Sequence, residues 1–265
     1  LPVNATDAQG CTALLRAAGG GHRALVEFLL AQGADPGLAA STGATALSAA
    51  VSMRHLEIVD LLLRAGSGLD QRLPGEVSVL MLAAALGLPD MAARLLQAGA
   101  DLHATDAQGQ TALHCAALYG FTARERPRLM ALLDALLLAG ADPHAATRAG
   151  LTPLLLLLGA RAEPGTPANE DVLLGALERL LDEDVRLDDR DSRGYGPLHL
   201  AALHGLQRVA RALLDAGANP DQRDNLNRSP RDIALMRGYV DVASELGNAP
   251  LPPGGGVSMA RFLRE

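Results

Sequence analysis

Apolar positions in this chain come in couplets. A short apolar phrase is followed by a glycine or a polar break, and then by a second phrase whose apolar residues recur at intervals of three and four. The first phrases begin "GCTALLRAA" at Gly10, "GATALSAAV" at Gly43, "EVSVLMLAA" at Glu76, "GQTALHCAA" at Gly109, "GLTPLLLLL" at Gly150, "GYGPLHLAA" at Gly194 and "NRSPRDIAL" at Asn227, spaced 33, 33, 33, 41, 44 and 33 residues apart. The second phrases, such as "ALVEFLLAQGADP", "LEIVDLLLRAG", "MAARLLQAGADL" and "VARALLDAGANP", show the periodicity of an amphipathic helix. A fixed period of this length is the signature of a repeat architecture. One such unit is too small to bury its own apolar face, so its stability has to come from stacking on its neighbours.

The local signals agree with two helices per unit. In "DAQGQTALHCAALYG" Thr111 stands at an N-cap position, where its hydroxyl is expected to satisfy free N–H groups of the first turn. Ala116 and Ala117 permit close helix packing, and Gly120 and the later "GAD" supply C-terminal stops. The period, the "TALHCAA" and "GPLHLAA" phrases with their preceding glycines, and the terminal "LLAGADP" together resemble the ankyrin repeats, over residues 1–247 almost without a gap. The resemblance implies an all-α solenoid of stacked hairpin-helix-helix units.

On that register residues 1–6 read as the tail of a preceding repeat, followed by repeats at 7–39, 40–72, 73–105, 106–146, 147–190, 191–223 and 224–247, the last a C-terminal cap. Residues 248–265 read as a Pro/Gly linker with a truncated tail, and the whole as a fragment of a longer protein. The third repeat departs from the pattern, because "PGEVSVLM" lacks the turn glycine and the threonine; its hairpin is in doubt. The fourth carries eight extra residues around "FTARERPR" (121–128) and the fifth eleven around "GARAEPGTPANED" (159–171). Both are placed between the two helices, on one common edge of the solenoid, opposite the groove.

Composition narrows the function classes. The chain is 49% hydrophobic but only 2% aromatic with no Trp, so its core must be built from Leu, Ala and Val. A net charge of −7 without a long basic run removes the phosphate attraction that drives most nucleic-acid binding. The two cysteines, Cys11 and Cys115, are too few and too far apart for a disulfide framework, which suits a cytoplasmic or cytosol-facing location. The parent protein is left open as soluble, membrane-anchored or secreted into a host. The most apolar run, at 151–160, is about half of the ~20 residues a membrane helix needs.

No catalytic, metal or cofactor site is expected. His114 and Cys115 are adjacent, but neighbouring helical residues point about 100° apart and do not face one another. The histidine of this phrase is, by the resemblance, a structural tie between hairpin and helix, and Cys115 a small packing thiol. The stretch "LDEDVRLDDRDSRG" lacks the ordered spacing of a calcium loop.

The function expected is that of a monomeric protein–protein interaction scaffold, with a regulatory or targeting segment of a larger protein as the alternative. By the resemblance, the hairpin tips and the end of each first helix face a concave groove. These positions hold Gln108, Gln110, Leu118 and Tyr119 in repeat four, Arg148 and Leu151 in repeat five, Arg193, Tyr195, Leu203 and His204 in repeat six, and Arg228 and Arg237 in repeat seven. The arginines, with no acidic residue at the corresponding variable positions, suggest an acidic or phosphorylated partner segment.

Overall fold

The computed structural model describes residues 2–247, so the linker and tail read at 248–265 lie outside the described residues. Fourteen helices and no strand occur among them. In chain order they pair as α1 (Ala13–Gly19) with α2 (Arg23–Ala31), α3 (Ala46–Ser52) with α4 (Leu56–Arg64), α5 (Val79–Ala85) with α6 (Pro89–Gln97), and α7 (Ala112–Thr122) with α8 (Arg126–Leu138). Then come α9 (Pro153–Leu157) with α10 (Glu170–Leu181), α11 (Pro197–His204) with α12 (Gln207–Asp215), and α13 (Pro230–Met236) with α14 (Val240–Gly247). First helices stack on first helices and second on second, which gives two layers.

One leucine per unit shows why the phrase repeats. Leu14, Leu47, Leu80, Leu113, Leu154 and Leu198 occupy the same slot of successive first helices, and all are essentially buried. The seventh unit places Arg231 there, and it is exposed. The alanines Ala17, Ala50, Ala83, Ala116, Ala201 and Ala234 are buried as well, allowing the helices to approach closely.

The hairpins between units are held by their own side chains. The carboxylates of Asp106, Asp191 and Asp224 each accept from the N–H groups two and four residues on, at 2.8–2.9 Å. Neighbouring tips are tied by backbone bonds, for example Arg148 N–H to Gln108 O at 2.9 Å and Asn225 N–H to Arg193 O at 3.1 Å. Pro74, at the equivalent place in the third unit, has no N–H to donate.

The third hairpin nevertheless forms. Leu73 and Val77 make a bridge, Leu73 N–H donating to Val77 O at 2.9 Å, and Ser78 takes over the cap by accepting from Met81 N–H at 3.2 Å. The turn is made by Gly75 and Glu76, both at positive φ (81° and 64°). Glu76 therefore stands in a conformation that costs a side-chain-bearing residue about 1–2 kcal/mol. Replacing Glu76 with Gly should raise stability by about 0.5–1 kcal/mol, the strain relieved less the extra entropy of an unfolded glycine. An unchanged or lower urea midpoint would show that the turn is not strained.

The two insertions take different paths. The first is absorbed into helix: α7 has 11 residues and α8 has 13, against 7 and 9 in the three preceding units. The extra turn of α7 delivers Phe121 into the core. In the fifth unit α9 has only 5 residues, ended by Gly159 at φ 83°. A Cβ on Gly159 would lie 2.6 Å from the Phe121 ring and 2.8 Å from His204 Nε2, so Phe121, at the end of the extended α7, packs directly on the bare backbone at which α9 stops. Beyond Gly159 the chain meets Arg193 and His204 of unit six and Arg237 and Tyr239 of unit seven before returning to α10.

Candidate functional site

The first helices and the hairpin tips form one continuous face. Along it the structure separates the twelve residues expected there into two groups. Gln108, Leu118, Arg148, Arg193 and Arg237 are exposed, and Tyr119, Leu151 and Arg228 are half-buried. Gln110, Tyr195, Leu203 and His204 are buried, so the expectation of open contact surface is corrected at these four positions.

Each burial has a specific cause. The Tyr195 ring is stacked on His199 with centroids 5.5 Å apart, and the guanidinium groups of Arg193 and Arg228 lie 4.4 and 5.8 Å from its centroid. Its hydroxyl accepts from Arg228 Nη2 at 2.9 Å. His204 packs on Phe121 at 4.9 Å and its Nε2 meets Gly159 O at 3.0 Å. Gln110 sits below the tip at the edge of a small recess shared with Gln108, Thr147, Leu151 and Arg161.

Tyr119 covers a neighbour rather than its own helix end. A Cβ added to Gly87, which sits at φ 64°, would come within 2.2 Å of the Tyr119 ring. The tyrosine is thus laid over the end of α5, leaving one side free.

The arginines differ in what neutralises them. Arg193 pairs with the buried turn carboxylate of Asp191 at 2.6 Å, and Arg228 with that of Asp224 at 2.7 Å. The expectation of an uncompensated basic stripe fails at those two positions, because the aspartate that builds the turn also faces the arginine. In the fifth unit the turn residue is Thr147, whose hydroxyl accepts from Leu151 N–H at 3.1 Å, and Arg148 has no carboxylate of its own turn. Among the described residues Arg148, Arg161 and Arg237 form no ion pair.

Part of the apolar surface on the same face, Met53 and Leu86 beside the expected Leu118, Tyr119 and Leu151, was not read from the sequence. Met53, Leu86 and Tyr119 fall 33 residues apart, beside rows formed by Leu82 and Cys115 and by Val77 and Leu151. Met53 is 58% exposed and Leu118 39%. The signal was present as apolar residues at positions that a soluble helix normally gives to polar ones; the packing phrase around them masked it.

The histidines and the cysteine of the repeated phrase carry no arrangement suited to chemistry. Thr111 is the N-cap of α7: His114 Nδ1 accepts from its N–H at 3.1 Å, the reciprocal bond of a capping box, and lies 2.9 Å from its hydroxyl. Nε2 then carries the proton and donates to Leu151 O at 3.1 Å, in the next hairpin. His199 repeats the arrangement with Gly196 N–H and Arg228 O. Burial pushes the Cys115 thiol up to about 12, helped by the Asp106 carboxylate. Such a thiol is protonated at neutral pH and a poor nucleophile.

Burial also holds His114, His199 and His204 below the ordinary histidine value. The folded chain therefore resists protons that the unfolded chain accepts. Stability is fully present above about pH 6.5 and is lost as pH falls below it toward the depressed folded values. The urea midpoint should drop between about pH 7.5 and pH 5, and drop less in a His199→Gln variant. Equal slopes for both proteins would contradict the linkage.

Models of the ankyrin repeat match residues 2–74 (three copies), 80–125 and 180–234 (many copies), and 108–148 (a single repeat). The chain belongs to the ankyrin-repeat family. No curated protein matches it. Ankyrin repeats are in general protein-interaction modules, and the face described above is the one formed by the hairpin tips and first helices of this array. No helix among the described residues is long and apolar enough to cross a membrane, and none of their His, Cys, Asp and Glu side chains form a group able to hold a metal ion.

Proposed function

We propose that this ankyrin array binds another protein along the groove of repeats two to five. Met53, Leu86, Leu118, Tyr119 and Leu151 supply apolar contact in this reading, and Arg148 and Arg161 engage carboxylates or phosphates of the partner. The observation that carries it is a contrast along one face. In repeat six the groove positions Leu203 and His204 are covered by the chain itself, whereas in repeats two and four the equivalent Met53 and Leu118 stand open at 58% and 39% exposure. Exposed apolar side chains collected on one face mark interaction sites in soluble proteins.

The partner chemistry follows from the charges. The chain is acidic overall, yet the unpaired arginines of the groove concentrate at the fifth repeat. A segment with an apolar anchor and an acidic or phosphorylated end fits that sequence of surfaces, and its affinity should weaken as salt rises. Gln108 lies at the tip beside Arg148 and offers both a donor and an acceptor.

Photo-cross-linking tests the placement. A cross-linking residue at position 118 should capture the partner retained by the wild-type chain, and one at position 138 on the second-helix face should not. Capture only at 138 would move the interface to the outer layer.

A further inference from the structure

The second insertion carries an inference of its own. Its backbone reaches His204 and Arg237 at the first-helix ends of repeats six and seven and Arg193 at the tip of repeat six, while Met236 of repeat seven stays 67% exposed; three donors there are satisfied by its carbonyl oxygens. His204 Nε2 donates to Gly159 O at 3.0 Å, Arg193 Nη2 to Ala160 O at 3.1 Å, and Arg237 Nη2 to Pro164 O at 3.2 Å. Gly165 passes close to both Arg237 and Tyr239: a Cβ there would meet Nη2 at 3.1 Å and the hydroxyl at 3.2 Å. These contacts join residues 33 to 73 apart in sequence and come from three different structural positions, two first-helix ends and a hairpin tip.

We propose that repeats six and seven form a second peptide-binding site, filled in cis by residues 159–167, and that an acidic partner segment displaces this strap. The proposal rests on the groove reading above. In segment 159–167, "GARAEPGTP", two prolines lack an N–H and those of Gly159, Ala160, Ala162 and Thr166 are used within repeat five, so the contacts to repeats six and seven are made through its carbonyls. Those acceptors are neutral. Guanidinium groups bind carboxylates or phosphates roughly twice as strongly as neutral acceptors. The strap holds its place through its tether, which keeps its local concentration in the millimolar range, while an incoming acidic segment offers a charged partner to Arg237, which forms no ion pair among the described residues, and adds to the Asp191 carboxylate already on Arg193. Displacement would also uncover His204, extending the open face of repeats two to five along the array.

The test requires no knowledge of the natural partner. Residues 160–168 are replaced by a short Gly/Ser link, and a fluorescein-labelled peptide of residues 158–169 serves as the probe. The shortened chain should bind the peptide at least about tenfold more tightly than the full chain, whose site is already filled. Adding Arg193→Ala and Arg237→Ala to the shortened chain should abolish binding, and hexaglutamate should displace the peptide at about tenfold lower concentration than hexaglutamine. No binding to the folded shortened chain, or equal binding to both chains, overturns the site; equal competition by the two hexapeptides overturns displacement by acidic segments. If the shortened chain fails to fold, the full chain with Arg193→Ala and Arg237→Ala is compared with wild type by amide exchange. Ala162 and Thr166 should then exchange at least about tenfold faster than in wild type with α11 unchanged, and unaltered exchange overturns the proposal. Failure on any arm leaves the reading of repeats two to five standing, since that is tested at position 118.

Discussion

Replacing His199 by Ala should lower the unfolding free energy by about 3 kcal/mol, one of the largest effects of any single side chain outside the leucine core. The imidazole is fully buried, and both of its nitrogens are used, Nδ1 by Gly196 N–H at 3.3 Å and Nε2 by Arg228 O at 3.0 Å. Alanine would leave a buried donor and an acceptor unpaired, at about 1–3 kcal/mol for such a loss, and open a cavity on the face where Tyr195 stacks. Because the bond to Arg228 crosses from repeat six to repeat seven, the loss falls on the coupling between units. The seventh repeat should then unfold at lower urea than the rest, seen as early loss of amide protection in α13 and α14. A single cooperative transition with an unchanged midpoint would show that the histidine ties nothing together. His199→Gln, which can replace one of the two bonds, should lose less.

The second large effect concerns binding. Tyr119→Ala should weaken partner affinity by about 1–3 kcal/mol, or roughly 5- to 150-fold. The half-buried ring rests on the bare backbone of Gly87, at the same helix end as exposed Leu118. A half-covered tyrosine is already held in place, so it loses little conformational freedom when a partner packs on it, and its hydroxyl remains available for a hydrogen bond. Arg124→Ala and Arg126→Ala serve as controls at the first insertion. Arg126 lies beside Glu178 of α10 at 3.8 Å, and Arg124 borders a surface recess formed with Pro167, Ala168 and Asn169. Neither contributes to the face carrying Tyr119, and both variants should bind within about twofold of wild type. Loss of binding in the controls with Tyr119→Ala unaffected would put the interface at the lower edge.

The array was legible because each unit solves the same packing problem with the same residues. The leucine of each "TALLRAA"-type phrase, the alanines after it and the turn aspartates all act locally or on the next copy, so their spacing alone announced them. Glu76 was harder. Its turn departs from the pattern, yet Gly75 one residue earlier and Ser78 at the cap restore the hairpin by other means. The charge state of the tip arginines was written in the sequence, in Asp191 two residues before Arg193 and Asp224 four before Arg228, and needed only the geometry of the turn to be read.

The path of the second insertion could not be read locally. Nothing in "GARAEPGTPANED" announces that it reaches the next two repeats, because its contacts are with Phe121 packed on Gly159 and with donors on His204, Arg193 and Arg237, up to 73 residues away. The same contacts cover His204 where an open groove was expected. Glu170, at the far end of the insertion, fixes the return by accepting from Arg208 and Val209 N–H at 2.7 and 3.1 Å at the start of α12, which has no side-chain cap of its own.

The central claim is that the open stretch of the groove, rather than the outer layer, is the binding face. A direct measurement is the affinity of the partner for Leu118→Asp and Leu138→Asp side by side, with folding of both checked by their urea midpoints. Both leucines are exposed, 39% and 81%, so neither charge has to be buried in the folded chain. The account predicts at least about tenfold weaker binding for Leu118→Asp and unchanged binding for Leu138→Asp; full affinity in the first together with loss in the second would contradict it.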